Sequence, residues 1–178
     1  QLIKEAKKKG LHVTCSVSAH HLTLTDDELE GFDSKAKVTP PLRSKQDAKA
    51  LIKGLQEGII DMITSDHNPI DIENKKLEFS LAKDGTIGLE SLFGAVNSVI
   101  DLETTIKALT VNPRIVFNQE PHSIQKDTLA NMTLFNPAGN YIFAKEHILS
   151  TSKNAVFIGK ELQGKVYGIY ANKKLVLN

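Results

Sequence analysis

What this chain of 178 residues lacks narrows its class before any motif is considered. It has no tryptophan and a single cysteine, Cys15, which excludes an internal disulfide and any cysteine-cluster metal site. Cys15 lies in an apolar run, where a buried, inert thiol is expected rather than a nucleophile. No apolar stretch approaches the roughly 20 residues that span a bilayer, and no signal-peptide pattern is read, so the cytoplasm is the expected compartment. A net charge of +1 gives no electrostatic reason to expect nucleic acid or an anionic membrane as partner. There is no internal repeat and no low-complexity tract. The chain opens at Gln1 inside a helical pattern, without methionine or cap, as expected of a piece of a longer protein.

What is present describes an ordinary globular chain, 40% hydrophobic and 24% charged. Residues 1–9 read as the end of an amphipathic helix, with Leu2, Ile3 and Ala6 on its inner side and Gly10 as stop. Lys4, Lys7, Lys8 and Lys9 read as its solvated, dipole-favoured end. Leu11 to Val17 reads as a strand. Thr25-Asp26-Asp27-Glu28 has capping-box spacing and predicts a short helix. After Pro40-Pro41, Ser44 caps a helix from Lys45 to Glu57, with Ala48, Leu51, Ile52 and Leu55 inside and Gly58 as its end. Strand, helix, strand is the grammar of a parallel α/β sheet or barrel. A long loop (68–86) precedes an apolar helix from Leu89 to Ile100, on which Gly94 and Ala95 permit close packing. Thr104 or Thr105 starts a further helix ending near Val111, with Asn112-Pro113 as stop. Near residue 126 the texture changes to short strands, predicted around 128–137, 155–159, 164–170 and 174–177. The expected division is a partial barrel over 1–125 and part of a small β domain over 126–178.

The most informative stretch is Ile59-Ile60-Asp61-Met62-Ile63-Thr64-Ser65-Asp66-His67-Asn68-Pro69. It reads as a buried parallel strand ending on a carboxylate. An ionised aspartate there is costly unless it meets a metal, a cation or several donors. Asp66 is thus either a catalytic group at a barrel strand's end or a loop cap, and the residues alone leave both open. Of the six histidines (12, 20, 21, 67, 122 and 147), His20-His21 is the tempting pair, but adjacent residues in an extended segment point opposite ways. Hydrogen-bonded loop histidines are the expected reading. His12 is expected on a strand, and His122 and His147 carry no readable signal. Lys37-Val38-Thr39-Pro40-Pro41-Leu42-Arg43 is stiffened by its prolines, and Arg43 could pair with a carboxylate of a substrate or of the protein. Asp84-Gly85-Thr86-Ile87-Gly88 places glycines before an apolar helix, where free N–H groups can meet a polar ligand.

In order and spacing, HVTCSVSAHHLTLTDDEL, KVTPPLRS, DAKALIKGLQEGIIDMITSDHNP, GTIGLESLF, VNPRIVF, DTLANMTLFNP and GKELQGKV resemble the dihydroorotases of the amidohydrolase superfamily. The resemblance covers nearly the whole chain. It implies the C-terminal part of a distorted (β/α)8 barrel plus part of a small β domain, from helix 6 through helix 8. It also implies a zinc enzyme of pyrimidine synthesis that interconverts N-carbamoyl-aspartate and dihydroorotate. By the same resemblance, Asp66 is a zinc ligand and proton shuttle, as a metal-bound water needs a base and an amide nitrogen needs a proton to leave. Gly85 matches a glycine whose backbone contacts the substrate ring. His20 and His21 match a conformational segment that supplies no zinc ligand.

Two departures qualify the resemblance. Ile70 stands where the family has a substrate-binding histidine, and Thr39 where it has a substrate-contacting asparagine. Thr39 can still donate a hydrogen bond; Ile70 cannot. The remaining zinc ligands would precede Gln1, so the chain by itself is expected to be inactive and to hold no stoichiometric zinc. The alternatives are a degenerate homologue serving as a structural or regulatory partner, for example of aspartate transcarbamoylase, and a hydantoinase-like cyclic amidase. Exposed sheet edges make a homo-oligomer expected.

Overall fold

The computed structural model describes residues 1–120 and 123–177; His122 lies outside them. Two short strands, β1 (Ser16–Ser18) and β2 (Met62–Thr64), pair in parallel. The connection between them contains α2 (Ala19–Thr23) and α3 (Lys45–Gln56). A second sheet is antiparallel, with β3 (Met132–Ile142), β4 (Glu161–Ala171) and β5 (Lys174–Leu177) in sequential order. Both strands are shorter than their apolar runs predict, and β2 is not the buried strand expected: it stops at Thr64, two residues before Asp66, with only Ile63 buried. Residues 11–15 are extended but carry no ladder, because β2 offers only three residues to pair with.

Helix α3 follows its sequence closely. The Ser44 hydroxyl accepts from the Asp47 N–H at 3.3 Å, satisfying one of the orphan donors of the first turn. Ala48 and Leu55 are buried, and Leu51 and Ile52 pack against the same core. Gly58 takes φ +69, the left-handed conformation a helix terminator needs. By contrast, α1 (Leu2–Lys8) buries none of its residues. Its predicted inner face is open, with Leu2 82% exposed, and the Lys4–Glu57 and Lys7–Asp61 ion pairs tie it down instead.

Four further predictions are corrected. Thr25 does not cap a helix: its hydroxyl donates to Asp27, and Asp26–Leu29 forms a single 3₁₀ turn. The helix predicted to stop at Asn112-Pro113 instead continues. α6 (Leu102–Ile106), capped by Asp101, passes through a π-helical turn (Lys107–Val111) into α7 (Asn112–Val116). Proline is tolerated in a first turn, and the wide turn before it provides a new start. Residues 155–158 form a buried turn and not a strand, for Ala155, Val156 and Phe157 are buried in succession rather than alternately. The helix predicted from Leu89 to Ile100 is confined to α5 (Leu92–Asn97). The 68–86 loop holds one short helix, α4 (Ile72–Lys75).

One core cluster joins Leu24, Val38 and Leu42 of the first connection to Ile87 and Ala95, and to Phe143, Phe157 and Leu162 near the second sheet. Burial of each such large side chain stabilises by about 1.5–3 kcal/mol. A Cβ on Gly94 would sit 3.0 Å from Leu162, so the predicted close approach of α5 is made against β4. The second cluster, built on Val17, Leu22, Leu55, Ile63 and Val96, lies beneath the parallel strands.

Candidate active site

Strand register assembles the centre of the site. Ser18 of β1 lies opposite Thr64 of β2, so the residues two positions further along, His20 and Asp66, emerge side by side. His20 Nε2 lies 3.6 Å from Asp66 Oδ2. Burial pushes the His20 imidazole down to about 3, with the neighbouring His21 ring as a second cause. The ring is therefore neutral near pH 7, and 3.6 Å exceeds hydrogen-bond length. His20 Nε2 is buried without a partner. The Asp66 carboxylate, 37% exposed, is thus neither neutralised nor spent on a strong internal bond. Its backbone takes φ +45, a left-handed conformation that costs a non-glycine residue about 1–2 kcal/mol. The Asp66 N–H donates to Thr64 Oγ1 at 3.2 Å.

The expected pair of hydrogen-bonded histidines in an extended loop is corrected: both lie in α2, where successive side chains are not opposed, and their ring centroids are 4.5 Å apart. His20 Nε2 is unpartnered, while His21 bonds at both nitrogens. The His21 Nε2–H donates to the Pro40 carbonyl at 2.9 Å, since a carbonyl can only accept. Its Nδ1 then accepts from the Ser18 hydroxyl at 2.5 Å. His21 thereby moors the proline segment to the end of β1. Within that segment Thr39 donates to Asp84 Oδ2 at 2.6 Å, and the Gly85 N–H donates to the Lys37 carbonyl at 2.8 Å. Thr39 and Gly85 are therefore brought together as adjacent loop positions. Arg43 pairs with the protein's own Asp47 at 3.8 Å and is exposed.

The loop after β2 folds back over Gly85. A Cβ on that glycine would lie 2.8 Å from Asn68 Cβ and 3.4 Å from Ile70 Cγ1, and its φ of +129 favours glycine independently. Asn154 fixes this crossing. Its amide donates to the carbonyls of Asn68 (3.1 Å) and Gly85 (3.2 Å), and its Oδ1 accepts from Ile70 N–H (3.3 Å) and from the Ser152 hydroxyl. Asn154 is buried, and sequence reasoning missed it, because an asparagine in a Ser-Lys-Asn turn 84 residues from its partner carries no local signal. A cleft of about 1000 Å³ adjoins the other residues of this loop. It is lined by Ile70, Asp71, Lys75, Ser152 and Asn154 but not by Asp66, Thr39 or Gly85.

The donors around Asp66 do not make a zinc site. Among the described residues no cluster of three or more histidine, cysteine, aspartate or glutamate side chains could hold a metal ion. Asp66 and the unpartnered His20 Nε2 amount to two donors, where zinc takes about four.

No family model matches the chain. Curated relatives do. It is 37% identical to a dihydroorotase of Caldicellulosiruptor saccharolyticus over 182 residues, covering 99% of this chain and 42% of that protein. It is 40% identical to a dihydroorotase of Carboxydothermus hydrogenoformans over 188 residues, covering 99% of the chain and 44% of the relative. The chain belongs with the dihydroorotases. It spans about two fifths of the length of the curated relatives it matches.

Among solved structures, the L-hydantoinase (dihydropyrimidinase) of Arthrobacter aurescens superposes with a TM-score of 0.86 at 22% identity, covering 99% of this chain and 42% of that one. The inactive dihydroorotase-like domain of the Chaetomium thermophilum CAD-like multifunctional protein superposes at 0.67 and 22% identity, covering 98% and 46%. These likenesses establish a fold shared with the matched part of each of these structures.

Proposed function

We propose that this chain is the C-terminal part of a (β/α)8-barrel dihydroorotase, with residues 126–178 belonging to a small β domain. The parent would interconvert N-carbamoyl-aspartate and dihydroorotate in cytoplasmic pyrimidine synthesis. The observation that carries the reading is Asp66: an ionisable, half-exposed carboxylate at a parallel strand's end, held in a left-handed turn beside an uncharged histidine. Zinc, when bound by the parent, would polarise the amide carbonyl and activate water. The donors of this chain do not suffice to hold it.

What these residues do is narrower. Asp66 Oδ2 is placed to take a proton from an attacking water and return it to a leaving amide nitrogen, work for which a carboxylate needs access and no competing cation. Neutral His20 borders the carboxylate without quenching its charge. Thr39 and the Gly85 backbone are assigned as substrate-contacting groups, on loop positions that Asp84 and Lys37 bring together. Because Thr39 already donates to Asp84 and Gly85 N–H to Lys37, Thr39 would meet substrate through its hydroxyl lone pairs and Gly85 through its carbonyl, or either by exchanging partners.

The test is a chimera in which this chain replaces the matching segment of the Caldicellulosiruptor saccharolyticus dihydroorotase. Ring opening of dihydroorotate with added zinc is expected, and Asp66→Asn should lower its rate by orders of magnitude. The isolated chain should retain no stoichiometric zinc by metal analysis; anomalous scattering from zinc at Asp66 would contradict that.

Ile70 supports a second reading. Its apolar side chain borders Gly85, where a charged substrate group would find no partner. A folded, zinc-loaded chimera that opens hydantoins but not dihydroorotate would favour a hydantoinase-like amidase. One that opens neither would favour a non-catalytic partner, with aspartate transcarbamoylase as the candidate it serves.

A further inference from the structure

The residue after Asp66 is fixed at both ring nitrogens. His67 Nδ1 accepts from the backbone N–H groups of Gly88 and Leu89, each at 3.3 Å. That leaves the ring proton on Nε2, which faces Ser150 Oγ at 3.5 Å. Ser150 Oγ in turn donates to Glu90 Oε1 at 2.5 Å, and the Ser150 N–H donates to the same oxygen at 2.8 Å. The direction of each bond is therefore determined: His67 donates to the serine and the serine to the carboxylate. A serine that donates to a carboxylate and receives from a histidine is no activated nucleophile, since the imidazole cannot take its proton.

The chain of bonds closes on itself. Glu90 lies directly after the two residues whose N–H groups hold His67, so three segments, 66–68, 86–90 and 150, are locked together. Packing reinforces the lock. A Cβ on Gly88 would fall 2.4 Å from the Ser65 carbonyl, so the 88 backbone lies directly against the residue before Asp66. Asn68 N–H donates to the Thr86 carbonyl at 2.8 Å, and Thr86 is itself buried.

We propose that Glu90, Ser150 and His67 form a positioning relay that holds the Asp66 turn, and with it the carboxylate, at the mouth of the parallel strand pair. This rests on the reading of Asp66 as the reacting carboxylate. The need for such a relay is visible in the turn itself. A left-handed aspartate is unfavourable and persists only where its surroundings over-determine it. Asp66's own N–H bonds only to Thr64 Oγ1, within the same segment, whereas its neighbour is anchored at both ring nitrogens to two distant segments. None of the three relay residues touches a reacting atom; they act through the backbone of residues 65–67.

Nitrogen NMR of the whole chain at a fixed pH tests the relay without catalysis. In the native chain the His67 ring should show a protonated Nε2 and an acceptor-type Nδ1. The one-bond Cα–Hα coupling of Asp66 should report positive φ. Ser150→Ala should pull the two His67 nitrogen shifts toward each other and move the Asp66 coupling toward the averaged value of a free turn. Ser150→Thr, which keeps the hydroxyl, should restore both. Glu90→Leu, breaking the relay from its far end, should reproduce the alanine result and covers the case in which that variant fails to fold. Unchanged His67 shifts and Asp66 coupling in folded Ser150→Ala or Glu90→Leu would overturn the proposal. An inactive chimera would bear on the reading of Asp66 alone and leave these signals as they are.

Discussion

The end of β2 and the antiparallel sheet β3–β5 are stabilised in opposite ways. Around Asp66, residues far apart in sequence are joined by side-chain hydrogen bonds inside the fold: Asn154 to 68, 70 and 85, and Ser150 to 90. In the sheet, backbone ladders do most of the joining, while Leu134, Ile142, Ile169, Leu175, Val176 and Leu177 remain exposed. A loop cannot rely on a ladder, so its backbone groups need side-chain partners, and each partner becomes indispensable. A sheet supplies its own partners and tolerates change on its faces. The region with the less regular backbone is thus expected to be the more sensitive to single substitutions.

The largest effect expected is chemical. In the dihydroorotase chimera, Asp66→Asn should lower the ring-opening rate by about 10²–10⁴-fold, the usual worth of a positioned acid–base group, with melting temperature little changed. Gly88→Ala comes next, because the added carbon meets the Ser65 carbonyl, which is backbone and cannot rotate away. Urea unfolding should register a loss of about 1–3 kcal/mol, in the range of overpacking. Asn154→Ala leaves the buried polar groups of the 68–85 crossing unsatisfied. A similar loss of about 1–3 kcal/mol is expected, accompanied by faster amide exchange at Ile70.

Acid provides a subtler probe. Burial opposes ionisation of Glu90, but the Ser150 hydroxyl and N–H outweigh it and hold its carboxyl below the usual value of 4.5. A carboxyl lowered on folding contributes stability above the unfolded value, and loses it as pH falls through the folded value. Stability measured by denaturant should therefore fall below about pH 4.5 in the native chain, and less steeply in Glu90→Gln. Smallest of all, Val176→Thr on the exposed sheet should shift stability by no more than about 0.5 kcal/mol. Its effect is expected in sedimentation, as reduced self-association of an apolar face. A larger loss there than at Asn154 would reverse the comparison between the two regions.

Local features were legible in the sequence where one segment settled its own fate. Ser44, the apolar face of α3 and Gly58 defined that helix from start to stop. The run ending at Asp66 identified the candidate site, and the collinear motifs identified the family. Legibility failed where distant partners decided the outcome. The apolar turn at 155–158 has a strand's composition, yet the Thr86 hydroxyl accepts from Val156 N–H at 2.9 Å and Ala155, Val156 and Phe157 are buried in succession. Asn112-Pro113 has the form of a helix stop, yet Asn112 donates to the Asp61 carbonyl at 2.8 Å and the helix resumes.

By itself the sequence determined that a carboxylate closely follows a parallel strand, that α3 runs from its Ser44 cap to Gly58, and that the chain belongs with cyclic amidohydrolases. Those properties follow from residue type, alternation and motif order, which need no partner in space. Tertiary structure alone decided that His20 stands beside Asp66 and that Asn154 binds the loop over Gly85. It likewise decided that Glu90 and Ser150 reach His67. Each of these depends on strand register or on contacts between residues dozens of positions apart, and the free energy that selects them exists only once the chain has packed.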